Sequence, residues 1–127
     1  MPLRKAWATL LLSAASAAAA QAYPAKPIRL IVPFGVGGPG DAIGRLLGRQ
    51  LTESLGQPVV IDNRSGATTI IGTELAAKSP PDGHTLLLIS TTHAVNPSLF
   101  AKLPYDPIRD FAPVTLIAAT PFMLAVH

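Results

Sequence analysis

The chain has 127 residues, with ten Lys or Arg against seven Asp or Glu, three His and no Cys. The lack of cysteine excludes a disulfide framework, a thiolate metal site and a cysteine nucleophile. Two of the basic residues, Arg4 and Lys5, fall in an N-terminal leader, leaving a remainder of +1 with no basic run, so binding to nucleic acid or a polybasic membrane surface is not indicated.

Residues 1–22 read as a secretory signal. Arg4 and Lys5 form its positive end, Ala6 to Leu12 open a short apolar stretch, and Ala20-Gln21-Ala22 offers small residues for cleavage before Tyr23. The apolar stretch is too short and alanine-rich for a stable membrane span. The expectation is export across a bacterial inner membrane to the periplasm, with no membrane insertion after cleavage.

Ile28 to Val32 is a nearly unbroken apolar run, as in a strand buried on both faces. The glycine-rich segment Pro33 to Asp41 follows. A helix is expected from near Ala42, with Ile43, Leu46, Leu47, Leu51 and Leu55 as its apolar face, and Gly56 and Pro58 end it. Val59-Val60-Ile61 is a second strand. A second glycine turn, Arg64 to Thr69, leads to a helix over roughly Ile70 to Lys78, with Ile70, Ile71, Leu75 and Ala77 facing inward. Pro80-Pro81-Asp82-Gly83 is a turn, and Thr85 to Ile89 a third strand. Asn96 to Phe100 reads as a short helical turn, with Asn96 as its cap and Pro97 at the first helical position. Lys102 to Pro113 is a proline-rich loop, and Val114 to Ala118 and Phe122 to Val126 are two further strands. The order predicts an α/β fold whose mostly parallel sheet carries ligand sites at the C-terminal strand ends.

Three loops therefore share one sheet edge: Pro33 to Asp41, Asn63 to Thr69, and Ser90 to Asn96. A glycine turn entering a helix N-terminus presents uncovered N–H groups to an anion. Gly37 and Gly38 allow close approach, and Thr68, Thr69, Ser90, Thr91 and Thr92 add neutral donors. Such a site suits a carboxylate held by dipoles. Gly35 to Gly40 also satisfies G-x-G-x-x-G after a strand, with Asp62 where a ribose-binding acid belongs. The alternative is thus a dinucleotide-binding oxidoreductase fragment. Pro33-Phe34, intervening between strand and glycines, and export away from the nucleotide pool oppose it.

Individual residues have plainer roles open to them. Asp41 is a candidate N-cap, His93 a solvated loop histidine, and Arg64 either a ligand partner or half of a loop salt bridge. His84 sits after a turn with no specific role indicated. The histidines lack carboxylates at ligand spacing, so no metal site is expected, and no nucleophilic triad stands out.

Tyr23-Pro24-Ala25-Lys26-Pro27-Ile28-Arg29-Leu30-Ile31-Val32-Pro33-Phe34 resembles the Bug family, the solute-binding receptors of tripartite tricarboxylate transporters. The similarity runs on through Gly37 to Asp41, Leu55 to Val60, Asn63 to Ala67, Ile71-Gly72, Pro81 to Leu87, Asn96 to Leu99, Leu103 to Pro107 and Asp110 to Val114. The resemblance implies a lobe of the periplasmic-binding-protein type II, or Venus-flytrap, class. It implies a receptor with no catalytic activity and no cofactor, which holds a small carboxylate or dicarboxylate partly through bridging waters. Delivery to a two-subunit membrane permease is implied as well.

Carried onto this chain, the ligand residues are Pro33, Phe34, Gly37, Gly38 and Asp41; Asn63, Arg64, Gly66, Ala67 and Thr68; and Ser90, Thr91 and Thr92. Thr68-Thr69 stands where the family often has two glycines, and His84 where it usually has tyrosine. Family members run much longer, so residues 23–127 are expected to be the N-terminal part of the first lobe, without the second. Such a fragment is expected to bind carboxylates weakly or not at all.

Overall fold

The computed structural model describes residues 23–119, 121 and 123–125. The expected signal, residues 1–22, lies outside the described residues, as do Phe122 and Val126 of the last expected strand. Strand β1 (Ile28–Val32) is the axis of the fold, and Ile28, Leu30, Ile31 and Val32 are almost wholly buried. An apolar strand of this kind must be covered on both faces and paired on both edges. Strand β2 (Val59–Asn63) lies parallel on one side, with Ile28 opposite Val59 and Val32 opposite Asn63. Strand β3 (Thr85–Leu87) lies parallel on the other, with Arg29 opposite Thr85 and Ile31 opposite Leu87. The sheet order is β2-β1-β3. Leu30, Val32 and Leu88 form the core, with Phe34, Leu47, Val59, Ile61 and Leu86 packed against it.

Helix α1 (Pro39–Leu55) starts three residues before the expected Ala42. Gly38 is its N-cap and Pro39 its first residue, a position that suits proline's fixed φ and missing N–H. Gly56 closes it in the expected left-handed conformation, φ 69°, and donates its N–H to the Thr52 carbonyl at 3.1 Å.

The packed face of α1 is only part of the expected leucine stripe, of which Leu47 reaches the core. Ile43 and Leu46 are exposed, whereas Gly44 and Gly48 are buried. A Cβ would meet the Phe34 ring at 2.5 Å from Gly40, Val32 Cγ2 at 2.8 Å from Gly44, and Ile61 Cδ1 at 2.7 Å from Gly48. Three glycines one turn apart thus let the helix backbone descend onto β1 and β2, where any larger face would hold it off.

Helix α2 (Ile70–Ala77) repeats the device on a smaller scale. Gly72 and Thr73 are its buried residues, while Ile71, expected inside, is exposed. A Cβ on Gly72 would lie 2.8 Å from both the Arg64 carbonyl oxygen and Pro33 Cβ.

The third strand ends at Leu87 rather than Ile89, although the Leu88 N–H still donates to the Ile31 carbonyl at 2.9 Å. Helix α3 (Thr91–Leu99) then begins five residues before the expected helical turn at Asn96. Its N-cap is Ser90, not Asn96, and Pro97 lies inside the helix instead of at its start.

The expected strand Val114–Ala118 is also absent. That segment carries no regular structure, and Val114 and Leu116 are more than 80 % exposed. Apolar, branched residues make a strand only when a neighbouring strand takes up their backbone groups. Among the described residues none pairs with this segment. No described helix is long and apolar enough to cross a membrane.

Candidate ligand site

Because all three strands are parallel, the segments after β1, β2 and β3 leave the sheet at one edge. The first turn is organised by Asp41, which is 3 % exposed and sits in the first turn of α1. Its Oδ2 accepts from the Gly37 N–H at 2.9 Å and from Arg45 Nε at 2.9 Å, and its Oδ1 accepts from Asn63 Nδ2 at 3.0 Å. The Asn63 amide also donates to the Phe34 carbonyl at 3.2 Å. Asp41 is therefore not the N-cap but the link between the glycine turn, α1 and the end of β2. The Arg45 guanidinium, then the Gly37 N–H, hold its carboxyl down at about 2, against burial that favours the neutral form. Part of the anion cradle expected at this helix N-terminus is thus filled by the chain's own carboxylate.

The second turn has an unusual backbone. Gly66 has φ 129°, and Ala67, Thr68 and Thr69 follow at φ 44°, 52° and 73°. Four successive residues in this region fold the chain tightly and turn peptide groups that a helix or strand would pair. The turn is tied to the third segment: Thr69 and Thr92 hydroxyls lie 3.3 Å apart, and those of Thr92 and Ser90 lie 2.9 Å apart. Asn96, wholly buried in α3, donates from Nδ2 to the Thr68 carbonyl at 3.0 Å.

The first two turns are joined by the Arg64 N–H donating to the Val32 carbonyl at 2.9 Å. Pro33, Phe34, Gly37, Gly38, Asp41 and Asn63 thus form one cluster. Ala67, Thr68, Thr69, Ser90 and Thr92 form another beside it. Thr91 is exposed at the start of α3.

The arginines are committed elsewhere. Arg64 Nε donates to Asp62 Oδ1 at 2.8 Å, and Arg29 binds the other carboxylate oxygen of the same residue. This doubly paired Asp62 is not a carboxylate waiting for a ribose, which removes the acid that the dinucleotide reading needs. Its carboxyl is held below the ordinary range: burial opposes the charge, and the hydrogen bonds from Arg29 and Arg64 outweigh it.

His93 is not a solvated loop residue either. It packs parallel to Tyr105 at 6.0 Å and edge-on to Phe111 at 5.1 Å, with Nε2 3.0 Å from the Pro107 carbonyl oxygen. His84 stands edge-on to Tyr23 at 5.1 Å, with Nδ1 3.5 Å from Asp82 Oδ1.

Two surface hollows of about 520 and 320 Å3 flank β2, one against Arg45, Arg49 and Thr52 of α1, the other beside Arg29, Val60 and Arg64. Neither is bounded by the glycine turn or the first turn of α3. Among the described residues no group of three His, Asp or Glu is placed to hold a metal.

A parallel α/β unit with three neutral, donor-rich turns at one edge is the build of a solute-binding lobe. Residues 43–127 match the family described as the tripartite tricarboxylate transporter family receptor, and the chain belongs to that family. Protein BugT of Bordetella pertussis is 46% identical over 115 residues, covering 89% of this chain and 35% of BugT. A solved structure described as a periplasmic transporter is 51% identical with a TM-score of 0.71, covering 74% of this chain and 32% of that one. MatC from Rhodopseudomonas palustris with bound malate is 40% identical with a TM-score of 0.71, covering 75% of this chain and 33% of that one. The chain spans about a third of the length of these relatives.

Proposed function

We propose that this chain supplies the carboxylate-catching turns of a periplasmic solute receptor that hands its ligand to a two-subunit membrane permease. The observation that carries the reading is the gathering of Gly37, Gly38, Thr68, Ser90, Thr91 and Thr92 at one sheet edge. The nearby arginines 29, 45 and 64 are meanwhile spent on Asp41 and Asp62. The site is therefore rich in neutral donors and poor in uncompensated charge. Such a site suits a small carboxylate or dicarboxylate that must be held and then released, partly through waters. The malate bound to MatC, a family member of similar fold, supports this ligand class. The role is carriage rather than catalysis, because the acids near the site are each tied to a cation or a backbone N–H.

Export would follow cleavage of residues 1–22 before Tyr23. Thermal unfolding of the full chain with tens of millimolar malate, salt-matched, tests the reading against NAD. Malate at about ten times its dissociation constant adds about 1.4 kcal/mol and raises Tm by several degrees. A rise with NAD but none with malate would overturn it.

A further inference from the structure

Ala67, Thr68 and Thr69 hold left-handed backbone at three consecutive non-glycine positions. For residues with a Cβ, and above all for β-branched threonine, this conformation persists only where surrounding contacts impose it. One such contact is local: Thr73 Oγ1 donates to the Thr69 carbonyl at 2.9 Å. The other comes from a different element, 28 positions along the chain, where Asn96 Nδ2 donates to the Thr68 carbonyl at 3.0 Å.

Asn96 is fully buried, and among the described residues its Oδ1 has no partner. A buried amide with half its hydrogen bonding unmet is a poor filler of space, since leucine would occupy the site without that desolvation loss. What asparagine supplies and leucine cannot is the donor to Thr68.

We infer that Asn96 is a positioning residue for the ligand site: its Nδ2 locks the left-handed Ala67–Thr69 backbone to α3. With the Thr69–Thr92 hydroxyl contact at 3.3 Å, this lock makes the second turn and the first turn of α3 one rigid unit. Without it, Thr68 relaxes toward right-handed or extended backbone, and the peptide groups of the turn rotate away from the ligand. The value of this lock for carboxylate binding rests on the function proposed above. The lock itself is a property of the ligand-free chain.

Glycine adopts positive φ without penalty, so glycine at positions 68 and 69 removes the strain of the two β-branched residues and leaves only Ala67 for the lock to hold. The experiment compares the full chain with N96A, with T68G/T69G, and with the triple variant. It reads hydrogen exchange at the Ile70 amide, which donates to the Ala67 carbonyl across the turn, and malate affinity by calorimetry. N96A is expected to raise Ile70 exchange and weaken malate binding each by about tenfold, as loss of one buried hydrogen bond implies. The triple variant is expected to lie close to T68G/T69G in both readouts.

A loss as large in the triple variant as in N96A shows that Asn96 only fills space, and overturns the inference. If N96A alone does not fold, the triple variant still must, and its failure to fold overturns the inference equally. If glycine rescues Ile70 exchange while no variant, including the parent, binds malate, the lock stands and the carboxylate reading falls.

Discussion

Replacing Gly44 with alanine separates two opposing effects that the seat of α1 brings together. Alanine in place of glycine inside a helix is worth about 1 kcal/mol through backbone entropy alone. Against this, the new Cβ would stand 2.8 Å from Val32 Cγ2, and Val32 is fully buried at the centre of the sheet with no room to withdraw. Overpacking against so fully buried a neighbour falls in the upper part of the usual range, ~2–3 kcal/mol. The crowding prevails, and G44A should be less stable by about 1–2 kcal/mol, a fall in Tm of about 4–12 °C for a domain of this size.

One turn later the same change meets a different neighbour. A Cβ on Gly48 would lie 2.7 Å from Ile61 Cδ1, the far end of a flexible, half-buried side chain that can rotate aside. G48A should therefore lie between unchanged and about 1 kcal/mol more stable. Urea unfolding of the two variants and the parent, followed by far-UV circular dichroism, gives the comparison. Equal midpoints for G44A and G48A, or a G44A midpoint above the parent's, would refute the glycine-seat account.

Two other variants probe the site's supports. Asp41, held at about 2 when folded against an ordinary 3.8, stabilises the fold fully above its unfolded value and loses that contribution as pH falls from near 4 toward 2. D41N should lower Tm at neutral pH and shrink the acid-side fall, leaving the shares due to Asp82, whose carboxyl is also held at about 2 by Lys26 and the His84 N–H, and to the lowered Asp62 and Asp106. A D41N profile parallel to the parent's from pH 7 to 2 would contradict this. H93A removes a ring stacked on Tyr105 and its bond to Pro107, and should cost about 1–3 kcal/mol in urea unfolding. A midpoint equal to the parent's would show that the aromatic cluster carries no stability.

Much of the fold was legible because it rests on signals that act locally or through the hydrophobic pattern. An unbroken apolar run marks β1, glycine before proline marks the end of α1, and the alternation of strand and helix places three loops at one edge. The family resemblance pointed to the same site.

What escaped was settled by close approach. Counting leucines on α1 locates the face a leucine would bury, but Gly40, Gly44 and Gly48 let the backbone itself become the packed face. Ser90 outcompeted Asn96 as the cap of α3 because its hydroxyl sits directly before the helix, leaving Asn96 to turn inward to Thr68. The loss of Val114–Ala118 as a strand has the opposite cause, since local β-propensity without a pairing partner makes no sheet. Asp41 reads in the sequence as a candidate N-cap, but Gly38 takes that place, and the contact of Asp41 with Asn63 across 22 positions leaves no sequence signal.

The central claim is that the three turns at the C-terminal edge of the sheet receive a carboxylate. Titrating the isotope-labelled full chain with malate, against equal ionic strength of sodium chloride, and following each backbone amide by NMR tests it directly. The account predicts saturable shifts concentrated at Gly37 to Asp41, Arg64 to Thr69 and Thr91 to His93. Shifts centred instead on the hollow beside Arg45 and Arg49, or none beyond those that salt produces, would contradict it.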